Sequence, residues 1–326
     1  MTKILITGPA LSAEGTAEAA RLGLTLVTSK PYLPPAETAA IAAELRPDAI
    51  IVRQGAVTAE VMDAAPTLRV IVKHGVGYDN IEVAAATARG IPVMLARGAN
   101  SQSVAELAFG LMFTVARQTA HLTARMRAGQ WDKATHTGTE LFGRTLGIVG
   151  LGDIGRILAG LVAPLRMPVR IFDPFLPEGA ALPEGAEQVQ SLDALLAVSD
   201  ILSLHCPLSP ATHHMIGAPQ LAAMRRGSFL INTARGGLVD ADALAVALQD
   251  GPIAGAALDV FEPEPPIFTH PIFALPNLVA TPHAGASTQA AKDRSGVLAL
   301  RHIRDVIEGR APDARATVNR DVLAAS

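Results

Sequence analysis

The feature that most constrains this 326-residue chain is the run from Thr145 to Leu165. Thr145-Leu-Gly-Ile-Val is an apolar strand candidate that enters Gly150-Leu-Gly152-Asp153-Ile154-Gly155 and then a helical stretch, Arg156–Leu165. A lone G-x-G-x-x-G says little, but between a strand and a helix it marks a dinucleotide-binding βαβ unit. Gly150 permits the tight turn, Gly152 lets backbone approach a pyrophosphate, and Gly155 lets helix and strand pack closely. Asp153 and Ile154 complete the turn, and the first N–H groups and positive dipole end of the helix that follows suit phosphate. The next strand candidate, Val169–Asp173, ends in an acid 18 residues after Gly155, followed by Pro174-Phe175. A carboxylate there accepts hydrogen bonds from ribose hydroxyls and repels a 2′-phosphate, and no neighbouring Arg or Lys neutralises one. NAD (NADH) is therefore expected rather than NADP.

The same alternation runs along the whole chain. Strand candidates are Lys3–Thr7, Thr25–Thr28, Ala49–Arg53, Arg69–His74, Pro92–Ala96, Thr145–Gly150, Val169–Asp173, Ile201–His205, Phe229–Thr233, Ala254–Val260 and Leu278–Thr281. Helix candidates include Ala36–Leu45, Ser103–Arg127, Leu192–Val198, Asp240–Gln249 and Thr288–Ile307. Continuous apolar strands alternating with helices predict α/β architecture, with parallel sheets covered on both faces. Two such units fit the length. The stretch around Gly98-Ala-Asn100 is a boundary, followed by one long helix that could bridge to the second unit. The last helix is expected to cross back, so that the first domain comprises 1–99 plus 287–326 and the second 100–286.

Composition excludes some functions. Lys plus Arg is 27 and Asp plus Glu 30, a net charge of −3, and no basic block suggests nucleic acid or an anionic membrane. The most apolar stretch, Leu107–Ala116, is about half a membrane span, so it is buried in a core or at a subunit interface. The single Cys206 permits no intrachain disulfide framework and fits a reducing compartment, and the opening apolar run is too short for a signal peptide. A cytoplasmic location is expected.

Three segments beyond the glycine turn carry candidate chemistry, each following an apolar strand candidate: Asn232-Thr-Ala-Arg235-Gly-Gly, Asp259-Val-Phe-Glu262-Pro-Glu264-Pro, and Thr281-Pro-His283-Ala-Gly285. Separately, each reads as structural: an Arg in a turn, solvated acids, a packed His. Together they supply what hydride transfer to a 2-keto acid requires. Arg235 can grip a carboxylate through two parallel bonds, His283 can give or take a proton near neutrality, and Glu264 can orient the ring and favour its charged form. No metal is expected. His213-His214 has no Cys or acid at ligand spacing beside it.

At this point the chain resembles the D-isomer-specific 2-hydroxyacid dehydrogenase family. The resemblance rests on the 150–155 turn, Asp173, His205-Cys-Pro207-Leu with Thr212 and Gly217, Asn232-Thr-Ala-Arg-Gly-Gly237, Asp259-Val-Phe with Glu264-Pro265, and Pro282-His283. It implies two doubly wound domains, with a Rossmann NAD-binding domain inserted into a flavodoxin-like substrate domain, the active site in a cleft, and homodimers. It also implies cofactor contacts at Cys206, Pro207, Thr212, Thr233, Ala234, Asp259 and Gly285, and the catalytic roles of Arg235, Glu264 and His283.

Val52-Arg53 and Lys73-His-Gly75-Val76-Gly77-Tyr-Asp-Asn80 liken the chain to phosphoglycerate dehydrogenases and hydroxypyruvate reductases. That likeness implies substrate contacts at Arg53, Lys73, Gly75, Val76 and Gly77, whose turn would lay N–H groups against the substrate carboxylate. Arg53 and Lys73, with Lys133 of a partner subunit, fall where such enzymes gather positive charge. Trp131 and His136 are expected to pack structurally. The chain stops soon after its last helix candidate, so no C-terminal regulatory domain is expected. Some relatives are NAD(H)-sensing corepressors, a reading the lack of basic patches argues against. Formate dehydrogenases pair the His with Gln, where this chain has Glu264.

Overall fold

The apolar runs form two separate parallel sheets. The computed structural model describes residues 2–177 and 179–323. The chain divides into two units, 1–100 with 286–326, and 101–285.

In the first unit the strands are β1 (Lys3–Thr7), β2 (Thr25–Thr28), β3 (Ala49–Val52), β4 (Val70–Lys73) and β5 (Val93–Leu95), paired in the order β2-β1-β3-β4-β5. All pairs are parallel. This is the doubly wound order in which the direction of winding reverses between β1 and β3. Helices α1 (Ala13–Arg21), α2 (Pro35–Leu45), α3 (Ala59–Asp63) and α4 (Val83–Ala88) connect the strands. Ile50 and Val52 face a core built with Ala39, Ala42, Val61 and Ile71, whereas Ile4, Ile6, Ile51 and Val72 face the opposite one. That split follows from the two-residue period of a strand and explains why the strands carry unbroken apolar sequence. The second half of this core comes from far along the chain. Ala299, Leu300 and Ile303 pack against Ile4, Ile6 and Val72. The segment after that helix then returns to β5, where Val318 N donates to Val93 O at 2.8 Å and Val93 N to Asn319 Oδ1 at 2.8 Å.

The second unit begins with α5 (Ser101–Ala116) and α6 (Thr119–Arg127). Its sheet comprises β6 (Leu146–Val149), β7 (Val169–Phe172), β8 (Ala186–Gln188), β9 (Ile201–Leu204), β10 (Ser228–Asn232), β11 (Ile253–Leu258) and β12 (Leu278–Ala280), in the order β12-β11-β10-β9-β6-β7-β8. The strands are parallel throughout, as in a dinucleotide-binding sheet with one strand added. The connecting helices are α7 (Asp153–Val162), α8 (Leu192–Val198), α9 (Ala218–Ala223) and α10 (Ala241–Gln249); α11 (Gln289–Ile307) is the helix that returns to the first unit.

Two expectations need correction. The long helix over 103–127 is two helices, broken where Gln118 takes a left-handed φ of 51°. The Ala116 carbonyl accepts the Thr139 N–H at 2.8 Å, so a distant segment closes the end of α5. The β8 strand was missed because Ala-Glu-Gln at a sheet edge has no apolar signal. Within the Leu107–Ala116 stretch, Ala108, Leu111, Met112 and Val115 are buried with Leu146, Leu158 and Ile231, and Leu107, Phe109 and Phe113 are partly buried. Among the described residues no helix is long and apolar enough to cross a membrane.

Candidate active site

The glycine turn sits where the winding of the second sheet reverses, between β6 and its neighbour β9. Gly150 has φ +90°, and a Cβ there would lie 2.9 Å from the His205 carbonyl oxygen. Any side chain would therefore push β6 away from the end of β9. A Cβ on Gly155 would come 2.6 Å from the Gly150 oxygen, whereas one on Gly152 would meet nothing within 4 Å. The turn is closed at its two outer glycines and open at the middle one. The N-cap of α7 is Gly152, which has no side chain to cap the helix that begins at Asp153, so the N-terminal end of the helix lies at that opening. This cradle fits a dinucleotide pyrophosphate.

Asp173 is already tied into the turn. Its Oδ2 accepts from Leu151 N at 2.9 Å and its Oδ1 from Phe175 N at 3.0 Å. A carboxylate has about four acceptor positions, so capacity for ribose hydroxyls remains. Burial pushes the Cys206 thiol up to about 11. It is therefore a neutral packing group, its sulfur 3.7 Å from that of Met215, and no nucleophile. The Thr212 hydroxyl accepts from Ser209 N at 2.8 Å and donates to Pro207 O at 2.8 Å, which shapes the 207–212 turn.

Three strand ends hold the polar groups. At the end of β10, Asn232 is fully buried, donates to Arg235 O at 2.8 Å and accepts from Ala234 N at 3.0 Å. This side chain, quoted in the motif but given no role from sequence, fixes the turn that presents Arg235. Thr233 Oγ1 is buried there without a hydrogen-bond partner among the described residues. At the end of β11, Asp259 is 1% exposed. Its Oδ1 accepts from Thr281 Oγ1 at 2.6 Å and Ala284 N at 2.7 Å, and its Oδ2 from Gly285 N at 2.8 Å. In the structure Asp259, expected from sequence as a cofactor contact, stakes down the 281–285 loop.

That loop carries His283, held in a left-handed conformation (φ 52°) with its N–H donating to Asp259 O at 2.8 Å. His283 Nδ1 lies 2.8 Å from Glu264 Oε2, and Phe261 N donates to Glu264 Oε1 at 3.1 Å. Burial alone would raise the Glu264 carboxyl. The hydrogen bond and charge of His283, the Phe261 N–H and the charge of Arg235 outweigh it and hold Glu264 below the usual carboxylate range. An ionised Glu264 accepts from Nδ1–H, the tautomer in which Nε2 carries the lone pair.

In the first unit the segment after β4 corrects part of the reading. Gly75 (φ +138°) donates its N–H to Lys73 O at 2.9 Å, so this N–H is not offered to a carboxylate. Val76 and Gly77 make no such backbone bond among the described residues. Arg53 places Nη1 2.7 Å from Pro9 O and 2.5 Å from Ala10 O, anchoring the loop after β1. Lys73 Nζ donates to Asn80 Oδ1 at 2.9 Å. Both cations therefore carry structural bonds. Asn100, read from sequence only as part of a boundary, is buried with Oδ1 unpartnered, and its Nδ2 is the nearest atom to a Cβ on Gly75, 3.9 Å away. Trp131 is 73% exposed, against the packing expected of it. Lys133 is exposed. The premise for excluding a metal at His213-His214 also fails, because Glu262 lies 3.1 Å from His213 Nε2 and 3.3 Å from His214 Nε2.

Residues 109–285 match the family model of the D-isomer specific 2-hydroxyacid dehydrogenase NAD binding domain. The chain is 43% identical over 263 residues to a D-3-phosphoglycerate dehydrogenase of Methanocaldococcus jannaschii, covering 80% of this chain and 50% of that protein. It is 42% identical over 253 residues to a hydroxypyruvate reductase of Thermotoga maritima, covering 77% of this chain and 81% of that protein. A glyoxylate reductase structure from Paecilomyes thermophila superposes with a TM-score of 0.85 at 30% identity, covering 98% of this chain and 99% of that one. The protein spans about half the length of the phosphoglycerate dehydrogenases it matches. It belongs to the D-isomer specific 2-hydroxyacid dehydrogenase family and contains that family's NAD-binding domain.

Proposed function

We propose that the protein is an NAD-dependent oxidoreductase acting on a small D-2-hydroxy acid or its 2-keto acid, of the phosphoglycerate, hydroxypyruvate or glyoxylate type. The observation that carries this reading is the 2.8 Å contact between His283 Nδ1 and Glu264, with Arg235 close enough to help hold Glu264 ionised. When bound, the nicotinamide supplies the hydride. The residues do the rest. Gly150, Gly152, Asp153, Ile154 and Gly155 bind the pyrophosphate, and Asp173 holds the adenosine ribose and selects NAD over NADP. Cys206, Pro207, Thr212, Thr233, Ala234, Asp259 and Gly285 line the remaining cofactor surface.

Arg235 grips the substrate carboxylate with its planar fork, which a lysine could not reproduce. His283 Nε2 gives its proton to the ketone oxygen in reduction and takes it back in oxidation. Glu264 holds the ring in the tautomer that makes this possible and supports the imidazolium. Within the first unit, the Val76 and Gly77 N–H groups read as a second carboxylate-binding element, with Gly75 setting their turn. Arg53 and Lys73 contribute positive charge there beside their structural bonds. The protein is read as a cytoplasmic homodimer. Its one cysteine supports a reducing compartment. The helix α6 supports the dimer, since it buries none of its residues and Met126 is 54% exposed.

Initial rates of NADH oxidation with hydroxypyruvate, glyoxylate and 3-phosphohydroxypyruvate, repeated with NADPH, test the proposal. Turnover of at least one keto acid with NADH preferred is expected. NADPH preference would overturn the role of Asp173. NADH binding without turnover of any 2-keto acid would overturn the enzymatic reading and favour an NAD(H) sensor.

A further inference from the structure

The Pro-rich loop carries a second acid besides Glu264, and it meets the two histidines that the proposed reaction does not use. His213 and His214 follow the 207–212 turn. Adjacent side chains on extended backbone point apart, yet these two lie on one side. His214 has φ 49°, and its rings and those of His213 stack at 3.9 Å between centroids, 19° from parallel. A left-handed conformation outside glycine carries a steric cost. Here it is fixed by a 2.7 Å bond from His214 N to Gly237 O.

Glu262 is delivered from the opposite side by a glycine pair. A Cβ on Gly236 would sit 2.0 Å from the Phe261 carbonyl carbon, and one on Gly237 would sit 2.9 Å from Glu262 Oε1. The two glycines let the backbone of 261–262 lie against them and let the carboxylate rest over Gly237. Its other oxygen, Oε2, then stands 3.1 Å and 3.3 Å from the two imidazole Nε2 atoms. All three ligand atoms lie within 4.8 Å of one another. Two nitrogens and an oxygen bound to one ion at about 2.0–2.2 Å in tetrahedral geometry would stand about 3.4 Å apart. The two histidine–carboxylate separations are near that edge length.

We propose that His213, His214 and Glu262 form a binding site for a divalent transition ion of the zinc class. Imidazole and carboxylate donors suit zinc, cobalt, nickel and copper, and imidazole argues against magnesium and calcium. Each of the three side chains is a little under half exposed, at 47%, 42% and 47%, so an ion can enter and keep open coordination positions for water. Bound there, it ties the Glu262–Pro266 loop to the 207–214 segment. The ion is a clamp on the loop that carries Glu264, and nothing in the proposed hydride reaction passes through it.

Tag-free protein titrated with zinc chloride by calorimetry tests the site, with cobalt chloride as a spectroscopic probe. One saturable zinc per chain is expected, together with visible cobalt bands and a raised melting temperature. His213→Ala, His214→Gln and Glu262→Gln should each weaken zinc binding at least about tenfold, a conservative bound given that removing groups merely behind a ligand has such effects. All three positions are exposed, and the melting curve of each variant without metal reports whether it folds. Absence of saturable zinc binding, or binding retained by all three variants, would overturn the proposal. Neither outcome bears on keto acid turnover, which is measured separately.

Discussion

One Pro-rich loop, Phe261 to Pro266, supplies carboxylates to two groups of histidines, and the two groups are built differently. Glu264 meets a single imidazole, 2.8 Å away, and is itself held by the Phe261 N–H. The backbone under that imidazole is staked down by buried Asp259, which takes three donors from residues 281–285. Glu262 instead offers one oxygen to two stacked imidazoles, and a pair of glycines positions it. In the first arrangement the carboxylate holds one ring nitrogen, Nδ1, of a single imidazole. In the second, both imidazoles turn the same nitrogen, Nε2, toward one point. The same residue types two positions apart in the chain thus support two different proposals, proton transfer in one case and ion capture in the other.

The largest expected effect comes from removing the proposed proton donor. His283→Ala should lower turnover by about 10²–10⁴, the usual contribution of a positioned general acid, while NADH affinity measured by fluorescence stays near wild type. Unchanged turnover would end the distinction drawn between the two groups. Asp259→Ala should come next. It strands three donors around a site that is 1% exposed and should destabilise the fold by about 3 kcal/mol in urea unfolding, with turnover falling as His283 loses its anchor.

Within the loop, Glu264→Gln should reduce turnover by about tenfold or more, because the neutral amide gives less support to an imidazolium. Glu262→Gln should reduce it far less when assayed without added metal. Equal losses would mean that the loop acts as a unit and that the two acids are not separable.

The smallest effect is a pH dependence. The carboxyl of Glu264 is depressed in the folded protein relative to its ordinary value of 4.5. A depressed carboxyl binds fewer protons folded than unfolded between the two values, so stability rises with pH there. Its contribution is present in full above the ordinary carboxylate range and is lost as pH falls through the folded value. The stability difference between wild type and Glu264→Gln, measured by urea unfolding, should therefore hold down to about the ordinary value of 4.5 and shrink below it. A difference that grows on acidification would reverse the assigned sign.

Much of the fold was legible because it rests on local chemistry. Strand positions follow from short β-branched runs such as Ala49-Ile-Ile-Val52, which are apolar on both faces because both faces are covered. The start of α11 follows from Thr288, whose side chain accepts from Ala291 N, and the start of α10 from Asp240, which accepts from Ala243 N. The glycine turn was readable because its spacing answers to backbone sterics that hold wherever a strand feeds a helix. The break between α5 and α6 was not readable, since it depends on Thr139 reaching Ala116. The engagement of Gly75 by Lys73 was equally hidden, because the motif shows which residues form a turn but not which of its N–H groups remain open.

The sequence by itself determined the alternation of strand and helix, the dinucleotide turn and the residue types available at the strand ends. Each depends on neighbours a few positions away, within reach of propensity, periodicity and backbone sterics. The family likeness pairs Glu264 with His283, but tertiary structure alone decided that Glu262, in the same loop, meets His213 and His214. Glu264 reaches His283 across 19 residues and Glu262 reaches His214 across 48. Those pairings are fixed by parallel strands that set loop ends side by side, and by glycines that let one backbone lie against another. Neither effect leaves a periodic trace in the chain.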